Sequence, residues 1–372
     1  MAKQWTVMVY MAADNRTNED LFADLESKAH DDLDEMTTVG SNDAMDVVVQ
    51  VDWKTDKPQR LRVLHEAQEV LDQAAGPINT GRPEELQSFL IWAQNAFPSR
   101  YYMLVLWGHS ARYAFGYDHQ DSLTTPELAI ALRDPEYRRR RKIRASQGIH
   151  ILGFDACGMS TIESAYELRA NATYMLASEI GMPLPGWPYG RILQAIAETP
   201  GIEPEALGKA VVSRFVESLP GRNIALTMLH LPSLDANGIV QSMDALATSL
   251  AIAVGTDRNQ RELVLSRFRH AGVPTGEPLV DLGELCLDLS ANDVDTSVQR
   301  AAGEMLTLLS KQSGLILDHH RDGDNTTSLC GVSAYAPHVG RPQDSWLELY
   351  DQLDLSRRTF WPRVVEFLLS AD

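Results

Sequence analysis

The chain has 372 residues and a mass of 41.3 kDa, enough for one large or two modest domains with a substantial core. Hydrophobic residues make up 44% and charged residues 23%, a globular composition that excludes a disordered or collagenous chain. The 33 basic and 51 acidic side chains give a net charge of −18, which argues against a protein held to nucleic acid by phosphate neutralisation.

Short apolar runs rich in β-branched residues alternate with helical patterns, the mark of a largely parallel sheet covered on both faces. Thr6–Ala12 is the first expected strand, followed by a helix over Asn18–Leu33. Ala44–Asp52 gives a second buried strand and Arg60–His65 a hairpin or edge strand. Pro83, with Glu84 and Glu85 ahead of Leu86, Phe89, Leu90 and Ala93, opens a helix. Tyr101–Trp107 is a third strand, ending at Gly108-His109-Ser110, and a helix near Thr125–Leu132 follows. His150–Phe154 is a fourth strand, ending at Asp155-Ala156-Cys157-Gly158, before a helix over Ser160–Asn171 and a strand over Thr173–Ser178. After the Gly/Pro-rich loop Gly181–Gly190 come helices at Arg191–Glu198 and Pro204–Ser218, then a strand at Asn223–His230. The last third reads as helices at Asp235–Val254, Asn259–Arg269 and Asp293–Lys311, with strands at Gly314–His319 and Leu329–Ala336. No repeat or linker divides the chain. A soft boundary separates a sheet-bearing region, 1–230, from a mainly helical region, 231–372, packed on it.

Three cysteines cannot form a disulfide framework without a remainder, and none shows C-x-x-C spacing. No apolar run nears the roughly 18–20 residues of a membrane span. The N-terminus lacks a signal-like apolar region, so a reduced, cytoplasmic protein without a membrane partner is expected.

In an open parallel sheet ligands bind beyond the carboxyl ends of the strands, and two such ends carry His109 and Cys157. Strands joined by one crossover are commonly neighbours, which brings a thiol and an imidazole within reach of each other. Ser160-Thr-Ile-Glu163 fits an S-x-x-E capping box, and a helix N-terminus just past the cysteine would favour thiolate. Gly158 lets the backbone turn sharply and keeps approach to the sulfur open. Taken singly, each has a plainer reading, Cys157 as a small core residue and His109 as a polar strand cap.

Longer motifs add a resemblance. Trp5–Asn15 (WTVMVYMAADN), Leu106–His109 (LWGH), Phe154–Leu168 (FDACGMSTIESAYEL), Ala177–Glu179 (ASE) and Gly186–Tyr189 (GWPY) resemble the clostripain family of cysteine peptidases. Val280–Leu285 and Gly331–Pro337 match later family motifs, in family order across nearly the whole chain. The resemblance implies a caspase-like three-layer α/β sandwich with a mostly parallel central sheet and a helical C-terminal portion. It implies a cysteine endopeptidase that acts on peptide or protein substrates, cleaves after basic residues and uses His109 and Cys157 as a dyad. Asp155 matches a carboxylate that lines the pocket for a basic P1 side chain, and backbone groups at Ser110 and Gly158 would hold the oxyanion. Two departures stand out. Ser110 replaces the usual glycine after the histidine, and Pro185 stands where a second acid is expected. Glu179 or Asp118 is then the candidate for the missing charge. The departures also motivate a rival reading, a catalytically degenerate member that binds peptide or protein without cleaving it.

Arg138, Arg139, Arg140, Arg141 and Arg144 form a basic run between the two motifs, open to reading as a solvated loop, a nucleic-acid or localisation signal, or a processing segment. Asp322-Gly-Asp-Asn325 lacks EF-hand spacing and reads as a tight turn, with calcium the one cofactor left open by the family. Asp318-His319-His320 reads as an exposed strand end rather than a metal site. Cys286 and Cys330 are expected in the core.

Overall fold

The structure is a computed structural model describing residues 3–15, 25–74, 76–111, 113–118, 121–133, 148–275, 277–291, 293–337 and 346–371. The basic run from Arg138 to Arg144 lies outside the described residues. In chain order the first strands are β1 (Lys3–Ala12), β2 (Met45–Asp52), β3 (Gln59–Leu64), β4 (Ala67–Gln73) and β5 (Ser99–Trp107). Three short strands follow, β6 (Ser110–Ala111), β7 (Ala114–Asp118) and β8 (Asp121–Thr124). Then come β9 (Ile149–Asp155), β10 (Ala172–Ala177), β11 (Ile224–His230), β12 (Leu279–Asp281), β13 (Ile316–Asp322) and β14 (Ser333–Tyr335).

Among the described residues nine strands form the main sheet, in the order β13-β11-β10-β9-β5-β1-β2-β3-β4. The five central strands, β10-β9-β5-β1-β2, run parallel, and antiparallel strands close both edges. The alternation of β1 shows why both faces are covered. Met8, Tyr10 and Ala12 enter one core with Leu86 and Phe89 of the helix Pro83–Ala96. Trp5, Val7, Val9 and Met11 enter the other with Leu33 and Met36 of the helix Glu26–Thr37. This is the three-layer sandwich expected from the sequence.

The differences are local. The hairpin partner β4 was not foreseen, because all seven of its residues are exposed and carry no buried pattern. Of the helix expected over Asn18–Leu33, residues 18–24 lie outside the described residues, and the described helix spans Glu26–Thr37. The helix expected over Asp235–Val254 is broken at Gly238, whose φ of 72° lies in the left-handed region. Its main part, Ile239–Thr256, is long and apolar enough by composition to cross a membrane, contrary to the reading that no stretch is. Met243, Leu246 and Leu250 on that helix are buried, and it packs against the helices Thr296–Leu309 and Trp361–Leu369. The chain beyond residue 230 is not set apart from the sheet, since β13 pairs with β11 along its edge.

Candidate active site

β5 and β9 are adjacent and parallel, and their paired register runs from Met103 opposite Ile151 to Trp107 opposite Asp155. His109 and Cys157 each lie two residues beyond that last pair. Matched register therefore brings both chain segments out side by side at the sheet's carboxyl edge. Two further hydrogen bonds tie the loops together: the Gly108 N–H donates to the Asp155 carbonyl at 3.3 Å, and the Ser110 hydroxyl donates to the Cys157 carbonyl. Gly108 has φ near +149°, and a Cβ there would lie 3.3 Å from both the carbonyl oxygen and the Cβ of Ala12. Past this turn the chain enters the small sheet β6-β7-β8, where the Gly116 N–H donates to the His109 carbonyl at 2.9 Å. The histidine backbone is thus fixed from both sides.

The Cys157 sulfur accepts the Met182 N–H at 3.1 Å. Burial pushes the thiol above its ordinary range; the Met182 N–H pulls it back, and Glu277 and Asp155 push it further up. Burial thus opposes the depressed thiol anticipated from the S-x-x-E pattern, and the capping box itself does not form. The helix spans only Ile162–Leu168 and its cap is Thr161, whose side chain accepts the Ser164 N–H. Ser160 instead donates its hydroxyl to the Gly331 carbonyl at 2.7 Å, and the Glu163 carboxylate accepts the Tyr335 N–H at 2.9 Å. Both residues of the motif anchor the segment around β14 rather than closing a capping box.

Gly158 has φ near +60°, as its turn requires. Its N–H, however, already donates to the Ile180 carbonyl at 3.0 Å, so the expected oxyanion role does not fit it. The Cys157 N–H donates to no acceptor among the described residues.

Asp155 falls in register with Ile151 and Gly153 on one face of β9. Its carboxylate accepts the Trp187 N–H at 3.0 Å and the Tyr189 hydroxyl at 3.1 Å. A Cβ on Gly153 would lie 2.5 Å from the Trp187 ring, so only glycine lets the indole lie on the strand at that point. Burial raises the Asp155 carboxyl to about 7 against the pull of its two donors, with Glu35 pushing the same way as burial.

Two further acids share this face. Asp32 accepts the Trp107 indole N–H at 2.6 Å and is raised to about 8 by burial and by Asp155. Glu35 accepts the Tyr189 N–H at 3.1 Å and is also raised by burial. Sequence reasoning missed Asp32, yet a signal was present: it lies on the buried face of its helix, with Ala29, Leu33 and Met36 at helical spacing.

The residues considered for the missing second charge lie elsewhere. Glu179 is fully buried; its carboxyl accepts the Gly331 N–H at 2.8 Å and is raised by burial and by neighbouring Asp281. Asp281 in turn caps the helix Leu282–Leu289 and accepts the Cys330 N–H at 2.6 Å. Glu179 therefore braces the wall behind the site. Asp118 is buried with Asp14 and Asp52, their carboxylate oxygens within 4.8 Å of one another, and accepts the Thr80 N–H at 2.9 Å.

Those three acids are oxygen donors of the kind a hard cation takes. A second group, His270, Glu284 and Asp288, lies toward the surface. Asp322 ends β13, a short 3-10 helix spans Asp324–Thr326, and the Asp322 carboxylate is engaged by the N–H groups of Gly221 and Gly323. His319 is not at an exposed strand end; it is held between the Thr227 hydroxyl and the Leu329 carbonyl, and burial lowers it to about 4. Cys286 is in the core as expected, whereas Cys330 is half-buried beside Asp281 and outside any strand.

The fold is shared with solved C11 proteases. An inactive zymogen C11 protease from Parabacteroides distasonis is similar at 18% identity, covering 96% of this chain and 99% of that one, with a TM-score of 0.67. A secreted C11 cysteine protease from Bacteroides thetaiotaomicron, called iotapain, is similar at 16% identity with the same coverage and a TM-score of 0.69. A structure of a secreted C11 cysteine protease from that organism with an irreversible peptide inhibitor gives 18% identity, the same coverage and 0.65. No curated protein matches the chain. The caspase-like sandwich implied by the sequence is the fold these proteins have in common. The model of the clostripain family matches residues 9–367. That match takes in both strand ends and the segments braced behind them, and the chain therefore belongs to the clostripain family and is a cysteine-type peptidase.

Proposed function

We propose that the protein is an endopeptidase whose dyad is His109 and Cys157 and whose P1 preference is Arg over Lys. The observation that supports this reading is the register of β5 and β9, in which His109 and Cys157 each follow the last pair, Trp107 opposite Asp155, by two residues. In the acylation step the sulfur attacks the scissile carbonyl carbon, a C–S bond forms, and the thiol proton passes to His109. The oxyanion forms next to the Cys157 N–H, a backbone donor with no acceptor among the described residues. His109 then gives its proton to the leaving amine as the C–N bond breaks, and a thioester remains. Water attacks the thioester with His109 taking its proton, and the proton returns to the sulfur as the acid leaves.

A cationic P1 side chain removed from water needs a carboxylate, and Asp155 is the acid two residues before the nucleophile. Arg suits it better than Lys because the guanidinium donates in a fork. The thiol raised by burial is the observation that favours the rival, a binding module without turnover.

One experiment separates them. Wild type and Cys157→Ala are compared on fluorogenic peptides with Arg, Lys, Leu or Ala at P1, alongside labelling by a cysteine-reactive peptide. The proposal expects cleavage after Arg by the wild type alone, with Cys157 labelled ahead of Cys286 and Cys330. Binding without cleavage or labelling would establish the rival, and a preference for Leu or Ala would remove the basic specificity.

A further inference from the structure

Glu277 lies in the turn between Val273 and Leu279, outside the motifs that identify the family. Its backbone is fixed: the N–H donates to the Thr275 hydroxyl at 3.3 Å and the carbonyl accepts the Leu279 N–H at 2.8 Å. The turn is closed by the bridge between Gly272 and Val280 and by the Val273 N–H donating to the Leu279 carbonyl at 3.1 Å. Leu279 and Val280 continue into β12, which pairs with β14 in the core. The side chain is half-buried and turned to the nucleophile loop. A Cβ built on Gly158 would lie 3.2 Å from the Glu277 Oε2, and its charge acts on the Cys157 thiol.

The other carboxylates around the site accept hydrogen bonds from the protein. Asp155 has the Trp187 N–H and the Tyr189 hydroxyl, Asp32 has the Trp107 indole, and Glu163 has the Tyr335 N–H. The Glu277 carboxylate accepts none among the described residues, and burial alone perturbs it. A partly desolvated carboxylate without a donor is costly, and a cationic donor arriving from the cleft offsets that cost.

The two faces of the sheet say where that donor comes from. Trp187 and Tyr189, which hold Asp155, belong to one core; Leu279 and Val280, which carry Glu277, belong to the core on the opposite face. The segments that carry or hold the two acids therefore pack on opposite faces of the sheet. In an extended peptide successive side chains also point to opposite sides. If P1 turns toward Asp155, the neighbouring residue turns toward Glu277.

We propose that Glu277 forms a second anionic subsite, which receives the Lys or Arg side chain of the substrate residue adjacent to P1 and makes paired basic residues the favoured cleavage sequence. This rests on the peptidase reading above for its substrate, but the charged subsite itself does not require turnover.

The test uses the full chain as wild type, Glu277→Gln and Glu277→Ala. In the first arm Cys157 is modified by two thiosulfonate reagents of similar size, one bearing a trimethylammonium group and the other a sulfonate. Rates at Cys157 are read by mass spectrometry, with Cys330 in the same molecule as reference. The cation-to-anion rate ratio at Cys157 is expected to fall by ~10-fold in both variants, the scale of one charge-assisted contact, and to stay unchanged at Cys330. In the second arm kcat/KM is measured on peptides with the preferred P1 residue fixed and Lys, Arg, Ala or Glu at P2 or at P1′. The variants are expected to lose the preference for Lys and Arg at one of those two positions while keeping the P1 preference, and the position affected identifies the subsite. An unchanged reagent ratio overturns the subsite. An active wild type with no basic preference at either position overturns its role in recognition. A shifted ratio in a wild type that cleaves no peptide would sink the peptidase reading and leave the subsite standing.

Discussion

The Ser110 hydroxyl donates to the carbonyl oxygen of Cys157, so the loop that carries the histidine is hydrogen-bonded to the residue that carries the thiol. The serine read from sequence as a departure is a tie between the loops that carry His109 and Cys157, the dyad proposed above. A neutral hydrogen bond of this kind contributes ~0.5–1.5 kcal/mol. Ser110→Ala is therefore expected to lower kcat by ~2–10-fold with KM nearly constant, because the bond positions the reacting groups and does not bind substrate. Steady-state kinetics on one Arg peptide decide it. A change confined to KM would place Ser110 in substrate binding instead.

Burial sets the thiol. With the Cys157 sulfur pushed up by desolvation, alkylation by neutral iodoacetamide is expected to keep rising through the alkaline range, later than for an ordinary free thiol. The site-specific rate can be followed by mass spectrometry across pH. A plateau already reached in mildly acidic solution would show instead that His109 holds the sulfur as a thiolate in an ion pair.

Asp155, raised to about 7, and Asp32, raised to about 8, are largely neutral in mildly acidic solution and become charged as pH rises. A cation gains from them only in the charged form. The ratio of kcat/KM for a P1 Arg peptide over its neutral citrulline analogue should therefore increase between about pH 6 and pH 8, the common thiol titration cancelling in the ratio. Asp155→Asn should lower kcat/KM for the Arg peptide by ~10–100-fold and flatten that increase. A ratio independent of pH would remove these acids from P1 recognition.

The same shift has a cost in stability. A carboxyl whose pKa is higher folded than unfolded contributes stability that is complete below its unfolded value and is lost as pH rises to its folded value. For Asp32 that window runs from the ordinary aspartate value, 3.8, to about 8. Asp32→Asn keeps an acceptor for the Trp107 indole and removes the charge. The variant is expected to be more stable than wild type by on the order of 2 kcal/mol at pH 8, with no gain near pH 4, as read by thermal melts. Equal stabilities at pH 8 would show that Asp32 ionises without penalty.

Period-two and helical patterns located β1, β2, β5, β9, β10 and β11 because each is a buried run between turn residues. The placement of His109 and Cys157 just past two neighbouring strand ends was legible for the same reason. Glu163 and Glu179 were not legible, because a glutamate near a helix start or a strand end gives no sign of which distant backbone it will meet. Gly331 and Tyr335 reach them only through the folding of the last third of the chain. Asp32 and Glu277 were hidden differently. Asp32 is one acid on an otherwise apolar helix face, and Glu277 sits in a turn with no periodicity at all.

Gly153 and Trp187 fill one volume beneath Asp155, the indole occupying the space where any other residue of β9 would place a Cβ. The two positions are therefore free to change only together. A methyl group at 153 would displace the indole, and the Trp187 N–H would move with it away from the Asp155 carboxylate. In a library randomised at both sites and selected for cleavage after Arg, side-chain bulk at 153 should be traded against ring size at 187. The strand and the distant loop would then drift as one unit, whereas Leu184, at 51% exposure in the same loop, would vary freely.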